Sequence, residues 1–182
     1  MSNWHVLQRE TIKADRFEVV VERVQLPNQS EAPFSYVKMK HGVCILPILE
    51  HNQVICIKQY RHIFQTWEYE LPAGGIEEGD QPIDTAKKEL LEETGYKAAQ
   101  WVDLGYIYAS VGSTDEVIHL FAAKDLTKHE QQLEESEEIE IEVVDLDELK
   151  KWIAEGAFRH SAGIAAVGRY VFRSVDDQVP EE

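Results

Sequence analysis

Three shortages in the sequence each exclude a class of protein. Only two of the 182 residues are cysteines, Cys44 and Cys56. Both lie in apolar, strand-like runs without zinc-ligand spacing, which predicts reduced thiols in a core. No apolar run approaches the roughly 18 residues that cross a bilayer, and residues 1–18 lack the apolar segment of a signal peptide. We therefore expect a cytoplasmic protein without a membrane partner.

Basic residues are also scarce. Lys and Arg total 18 against 34 Asp and Glu, and the formal net charge is −16. Proteins that grip a nucleic-acid backbone need clustered Lys and Arg, so we expect no nucleic-acid partner. A small nucleotide ligand remains compatible with this charge, because carboxylates can hold Mg²⁺ and the metal can then meet the phosphates. Hydrophobic residues make up 43% of the chain, which is enough for a packed core.

Strand patterns fill the first third of the chain and return after one helical segment. Strands are predicted over Trp4–Ile12, Phe17–Leu26, Phe34–Met39, Val43–Leu49, Val54–Tyr60, Val102–Tyr108, Val117–Ala122 and Ile139–Val144. Helices are predicted from Pro82 to Gly95, from Asp145 or Asp147 to Gly156, and over Ser161–Ser174. Regular alternation of strand and helix is missing, so the pattern predicts an α+β fold with a mixed or antiparallel sheet.

The first of these helices carries like charges on one face. Residues three and four apart share a helix face, so Glu89, Glu92 and Glu93 converge, at a cost of roughly 0.2–0.5 kcal/mol per exposed pair. Lys88, four residues before Glu92, is the one nearby positive charge on this helix that can reduce the repulsion. The segment Glu70–Gly75 in front of the helix ends a strand in a glycine loop that can expose backbone carbonyls. Carboxylates beside such carbonyls are the oxygen ligands of a hard divalent cation, so we predict a Mg²⁺ or Mn²⁺ site here.

The segment from Gly74 to Tyr96 resembles the Nudix box, G-x5-E-x7-R-E-U-x-E-E-x-G-U, in which U is aliphatic or aromatic. The spacing is kept over all 23 positions. Asp80 replaces the pattern's Glu and Lys88 replaces its Arg, whereas the carboxylates and Gly95 are intact. Lys offers a point charge where Arg offers a planar fork, so we expect a looser box and a lower rate rather than loss of activity.

The resemblance implies a Nudix α/β/α sandwich with a mixed sheet, preceded by an antiparallel N-terminal flap. Residues 1–41 would form the flap, 42–175 the catalytic domain and 176–182 a flexible acidic tail. The implied cofactor is Mg²⁺, for which Mn²⁺ can substitute, at about two to three ions per active site. The implied metal ligands in the box are Glu89, Glu93 and the Ala73 carbonyl, with Glu92 ligating or assisting catalysis.

The acidic run Glu134–Glu140 precedes a predicted strand and can be a solvated loop. In the branch that this chain resembles, a Glu-x-Glu loop at this place supplies a catalytic base and a further metal ligand. Aligned with that loop, Glu135 is the base and Glu137 the ligand. The repetitive glutamates leave a slip of one or two residues open.

Three further segments resemble the ADP-ribose pyrophosphatase branch of the family, namely Ile57–Arg61, Trp67–Gly74 and Ala109–Glu116. The branch implies hydrolysis of a nucleoside diphosphate sugar to a nucleoside monophosphate and a sugar phosphate. It also implies a homodimer that exchanges its N-terminal strands. Side-chain chemistry, rather than the resemblance, suggests the substrate contacts. Arg61 can meet a phosphate or the terminal ribose, or form an ordinary surface ion pair, and Glu116 can accept from sugar hydroxyls, or be a loop acid without a partner. Phe34 and Tyr36 can stack on the base, or pack in the core.

One departure leaves the sugar open. The branch usually has Pro after the Ser of the Ser110 loop, and this chain has Val111. GDP-mannose or a UDP-hexose is therefore an alternative to ADP-ribose. A non-catalytic nucleotide-binding Nudix module is a further alternative, but such modules would be marked by a broken box.

Overall fold

A computed structural model describes residues 4–15, 17–133 and 137–176. The chain divides into two compact units. One comprises the described residues up to His41 together with Tyr108–Val117, and the other comprises Gly42–Ile107 and the residues from Ile118 onward. Among the described residues, no helix combines the length and the apolar character needed to cross a bilayer.

The first unit contains an antiparallel three-stranded sheet. Its strands are β1 (His5–Ala14), β2 (Phe17–Gln25) and β3 (Glu31–Lys38), in the order β1-β2-β3. On one face of β2, Val20 and Val24 are buried on either side of Glu22. The Glu22 carboxylate is also buried and accepts a hydrogen bond of 2.6 Å from Arg9 Nε on β1, which supplies the partner that a buried charge requires.

The second unit holds two further sheets. Its strands are β4 (Gly42–Pro47), β5 (Gln53–Arg61), β6 (Thr66–Glu70), β7 (Ala73–Gly75), β8 (Tyr96–Tyr108, ending in the first unit), β9 (Val117–Lys128) and β10 (Ile139–Asp145). One sheet is antiparallel with the order β10-β5-β6. The other has the order β7-β4-β9-β8 and is mixed, because β4 runs parallel to β9 and antiparallel to β7. A single 3-10 turn, Glu50–Asn52, connects β4 to β5.

Three helices among the described residues pack against the strands of the second unit. They are α1 (Pro82–Thr94), α2 (Leu146–Glu155) and α3 (Ser161–Asp176). Successive strand residues point to opposite faces. Val43 and Ile45 therefore pack with Leu90 of α1, whereas Cys44 and Leu46 pack in the core that includes α2 and α3. This layering confirms the predicted α+β sandwich with a mixed sheet.

Most predicted elements are present, with differences at Gly-rich or short segments. The strands β6 and β7 were not predicted, because one has only five residues and the other is Ala-Gly-Gly. β8 begins at Tyr96, before the predicted start, through a stretch of weak strand formers. Of the predicted acidic tail, Asp176 ends α3 and 177–182 lie outside the described residues. Both cysteines are buried free thiols, as predicted.

Candidate functional site

The site is built on α1 and on residues 71–75, which comprise the connection after β6 together with the short strand β7 and are called the loop below. Pro82 stands in the first turn of α1, where its missing N–H costs nothing, and Gly95 ends the helix in the left-handed conformation with φ +69°. These two ends fix the helical register. Burial of Ala86 and Leu90 against β4 then places Glu89 and Glu93 beside the loop.

Glu93 is the most buried carboxylate of the box, with 3% of its surface exposed. Its Oε2 accepts a hydrogen bond of 2.9 Å from the Ala73 N–H. Burial raises the pKa of Glu93 well above its ordinary value, and the negative charges of Glu89, Glu137 and Glu70 raise it further, while the Ala73 hydrogen bond opposes the shift. A bound cation would relieve this crowding of carboxylates.

Glu89 lies directly against the loop backbone. A Cβ added to Gly74 would lie 2.1 Å from Cδ and Oε1 of Glu89, far inside contact distance. Glycine is therefore required at this position for the carboxylate to sit where it does. The loop and the helix thus form a cradle lined with carboxylate oxygens.

Glu92 differs from the other two glutamates of the box. Its side chain is partly exposed, and Lys88 Nζ lies 3.5 Å from its Oε2, one helical turn away. The expected ion pair between Lys88 and Glu92 is therefore present, as a single contact rather than the two-pronged contact that an Arg guanidinium could make. Asp80, the other departure from the box, is exposed.

The donor set fits a hard divalent cation. Glu89 and Glu137 both act electrostatically on Glu93, and the Ala73 carbonyl is the backbone oxygen predicted as a further ligand. Among the described residues, no three His, Cys, Asp or Glu side chains already stand in ligating geometry.

The acidic run is only partly described. Glu135, the predicted base, lies outside the described residues. Glu137 is described, and its charge raises the pKa values of both Glu93 and Arg61. The structure therefore brings Glu137 into the electrostatic neighbourhood of the box, while its role as a ligand stays a prediction.

Arg61 forms a bidentate ion pair, because Nε and Nη2 donate to the two carboxylate oxygens of Glu70 at 2.6 Å each. Glu70 is buried, so this pairing supplies the partner that its charge needs. The pair lines a cavity of about 690 Å³ that also includes Phe64, Glu68 and His160. The role of Arg61 toward substrate stays a prediction.

The remaining predicted contacts belong to the first unit. Phe34 is exposed and Tyr36 half-buried on one face of β3, with ring centroids 6.4 Å apart, and Trp4 adds an edge contact to Phe34. Burial raises the pKa of Glu116 while His41 opposes the shift. Val111 lies at the surface with 84% of its area exposed.

Three partners of the site were not predicted from the sequence. Glu70 is the partner of Arg61, and it is the last residue of β6, directly before the loop. Gln131 donates from Nε2 to the Glu93 carbonyl at 2.6 Å. His160 accepts the Leu71 N–H at 3.2 Å through Nδ1. A lone histidine or glutamine carries no spacing signal that could have identified the last two.

Comparison with known proteins places this geometry in a family. Residues 38–165 match the NUDIX domain. An ADP-ribose pyrophosphatase of Bacillus subtilis (strain 168) is 34% identical over 138 residues, 75% of this chain and 75% of that protein. A methanol dehydrogenase activator of Bacillus methanolicus is 33% identical over 170 residues, 89% of this chain and 92% of the other.

The fold has a close counterpart among solved structures. The crystal structure of an ADP compounds hydrolase superposes with a TM-score of 0.86 at 20% identity, covering 96% of this chain and 95% of that one. That likeness concerns the fold. The matched domain and the relative in Bacillus subtilis show that the chain belongs to the Nudix family.

Proposed function

We propose that this protein hydrolyses the pyrophosphate bond of nucleoside diphosphate sugars in a reaction that depends on Mg²⁺, and releases a nucleoside monophosphate and a sugar phosphate. The observation that carries the proposal is the placement of two glutamates of the Nudix box, Glu89 and Glu93, against the backbone of Ala73 and Gly74. The relative in Bacillus subtilis that is named ADP-ribose pyrophosphatase supports the substrate class.

Glu89, Glu93, Glu137 and the Ala73 carbonyl would hold the metal, at about two to three ions per site. Bound Mg²⁺ supplies charge neutralisation of the pyrophosphate and polarises its phosphorus. Glu93 must be ionised to serve as a ligand, and a bound cation would oppose the upward shift that burial gives its pKa.

Proton transfer is assigned to the acidic run. Glu135 would accept a proton from the attacking water, in the role of general base. Glu92 would assist from the box, steadied by Lys88. Replacing Glu135 by Gln should then lower kcat more than the same change at Glu138, which is exposed. Equal losses would refute the proposed register of the loop.

Substrate contacts are assigned by side-chain chemistry. Phe34 and Tyr36 offer neighbouring rings on which a flat base can stack. Glu116 can accept hydrogen bonds from sugar hydroxyls, and Arg61 can reach a phosphate or the terminal ribose. With Val111 in place of the usual Pro, ADP-ribose is one substrate within a class that includes GDP-mannose and UDP-hexoses.

The working form is proposed to be a cytoplasmic homodimer. Cytoplasm suits two buried free thiols. The edge strand β1 is exposed along its whole length, and Val6, Leu7 and Ile12 are each about half-exposed, a surface that a second copy would cover. Light scattering should give twice the chain mass of 20.9 kDa, and a monomer at working concentration would contradict this assembly.

The reaction is tested by phosphate release, after coupling to a phosphatase, from ADP-ribose, GDP-mannose, UDP-glucose, diadenosine polyphosphates and dNTPs, with and without Mg²⁺. We expect turnover of nucleotide sugars only with the metal. Glu93→Gln should lower kcat by about 100-fold or more, whereas Glu155→Gln, an exposed glutamate on α2, should not. Nucleotide binding without turnover of any substrate would favour the non-catalytic module instead.

A further inference from the structure

The loop that presents the Ala73 carbonyl is held from several directions. Glu70 is paired with Arg61 of β5, and the Pro72 carbonyl accepts the Ile45 N–H of β4 at 2.9 Å. The Ala73 N–H donates to Glu93 of α1. Each of these contacts comes from a different element. The Leu71 N–H, in contrast, is bonded by the connection between α2 and α3.

His160 makes that bond. It lies in the connection between α2 and α3, and its Nδ1 accepts the Leu71 N–H at 3.2 Å. A ring nitrogen that accepts a hydrogen bond must be unprotonated, so the neutral imidazole carries its proton on Nε2. Burial lowers the pKa of His160, with Arg61 contributing in the same direction and Glu70 opposing, which favours this neutral form.

The surroundings of the ring fix its orientation. Phe158 lies beside it, with ring centroids 6.3 Å apart. A Cβ on Gly163 would approach Phe158 to 2.8 Å and His160 Nδ1 to 3.1 Å, so glycine leaves the room that both rings occupy. Arg159, the preceding residue, holds Glu68 of β6 through two hydrogen bonds of 2.9 and 2.7 Å. The α2–α3 connection is therefore bonded to β6 at Glu68, close to the loop in sequence.

We propose that His160 is a positioning residue, which fixes the backbone of the metal-binding loop through the bond from Leu71 N–H to its Nδ1. The proposal rests on the proposed function in one respect, namely that Ala73 and Glu93 bind a divalent cation. The bond acts at Leu71, two residues before the Ala73 carbonyl, so its loss lets that carbonyl depart from the position of a ligand. Loss of a hydrogen bond that orients a metal ligand typically weakens metal affinity by about 10- to 100-fold.

Two amide substitutions separate this role from simple core packing. In His160→Asn the amide oxygen takes about the place of Nδ1, whereas in His160→Gln it reaches about the place of Nε2, and both side chains are polar and uncharged. We expect His160→Asn to keep Mn²⁺ affinity within about threefold of the unmodified protein, and His160→Gln to weaken it by about 10-fold or more. Mn²⁺ binding is measured by titration with detection of the free ion by electron paramagnetic resonance.

Hydrogen exchange provides the second readout. The Leu71 amide should exchange faster in His160→Gln than in His160→Asn. Lys150→Met removes an exposed ion pair with Asp147 on α2 that has no part in holding His160, so it should leave both Mn²⁺ affinity and Leu71 exchange unchanged. Equal Mn²⁺ affinities in the Asn and Gln variants, whether both strong or both weak, would overturn the positioning role. Absence of Mn²⁺ binding by the unmodified protein would instead refute the metal site of the proposed function.

Discussion

Replacing Gly74 by Ala should separate activity from stability. The added methyl would lie 2.1 Å from Cδ and Oε1 of Glu89 and 2.6 Å from Oε2, whereas ordinary contact begins near 3.4 Å. Gly74 is not among the residues with positive φ, so alanine can adopt its backbone conformation without strain. The carboxylate is the end of a flexible side chain and must therefore move by at least about 1.3 Å, the difference between the two distances.

The size of the effect follows from that displacement. A misplacement of about 1 Å in a catalytic constellation can cost about 100-fold in rate, or about 2.7 kcal/mol of transition-state stabilisation. The folded protein should lose less than about 1 kcal/mol, because a side-chain rotation relieves the clash. We therefore expect Gly74→Ala to lower kcat/KM by about 100-fold and to shift the Mg²⁺ dependence to higher concentration, with a nearly unchanged Tm.

The assay is hydrolysis of a nucleotide sugar over a Mg²⁺ titration, with calorimetry of the same samples. Gly168→Ala is the matched control, because its new methyl would meet Phe172 at an ordinary 3.8 Å inside α3. That change should stabilise the protein by up to about 1 kcal/mol and leave the rate unchanged. Activity of Gly74→Ala within about threefold of the unmodified enzyme would show that Glu89 is not held where the metal needs it.

Two further predictions concern stability. Gly95→Ala should cost about 1–2 kcal/mol in urea denaturation for its left-handed backbone, and more because its Cβ would approach the His129 carbonyl to 2.8 Å and Gln131 N to 2.9 Å. A loss below about 0.5 kcal/mol would contradict this. Glu93→Gln should raise the Tm of the metal-free protein near neutral pH. A carboxyl whose folded-state pKa is raised contributes its stability below the unfolded pKa and loses it as pH rises through the folded pKa. The difference in Tm between Glu93→Gln and the unmodified protein should therefore shrink as pH falls. A difference in Tm that does not change with pH would refute the explanation.

The sequence determined the main layers because their signals are local. The apolar face of α1 and its two ends could be read from spacing alone, and the structure places Pro82 and Gly95 as predicted. β7 has no such signal, since three small residues become a strand only through pairing with β4. Its existence depends on tertiary contact rather than on propensity.

The contacts of the site residues divide in the same way, into those set by local spacing and those set by tertiary packing. Glu89 and Glu93 could be placed together because helical spacing is a property of neighbouring residues. The contact between Leu71 and His160 joins residues 89 positions apart, and it depends on where the α2–α3 connection packs. The bidentate pair of Arg61 and Glu70 depends likewise on the register of β5 against β6. Contacts set by packing leave no periodic trace in one sequence.

The acidic run shows how such packing constrains an ambiguous motif. On its N-terminal side, His129 N–H donates to the Gly95 carbonyl at 2.6 Å and Gln132 N–H to the Glu92 carbonyl at 2.9 Å. These bonds satisfy carbonyls that the end of α1 would otherwise leave unpaired. On its C-terminal side, Ile139 pairs with Gln59 of β5. Both ends of the run are thus bonded to α1 and β5, the elements that carry Glu93 and Arg61 of the site.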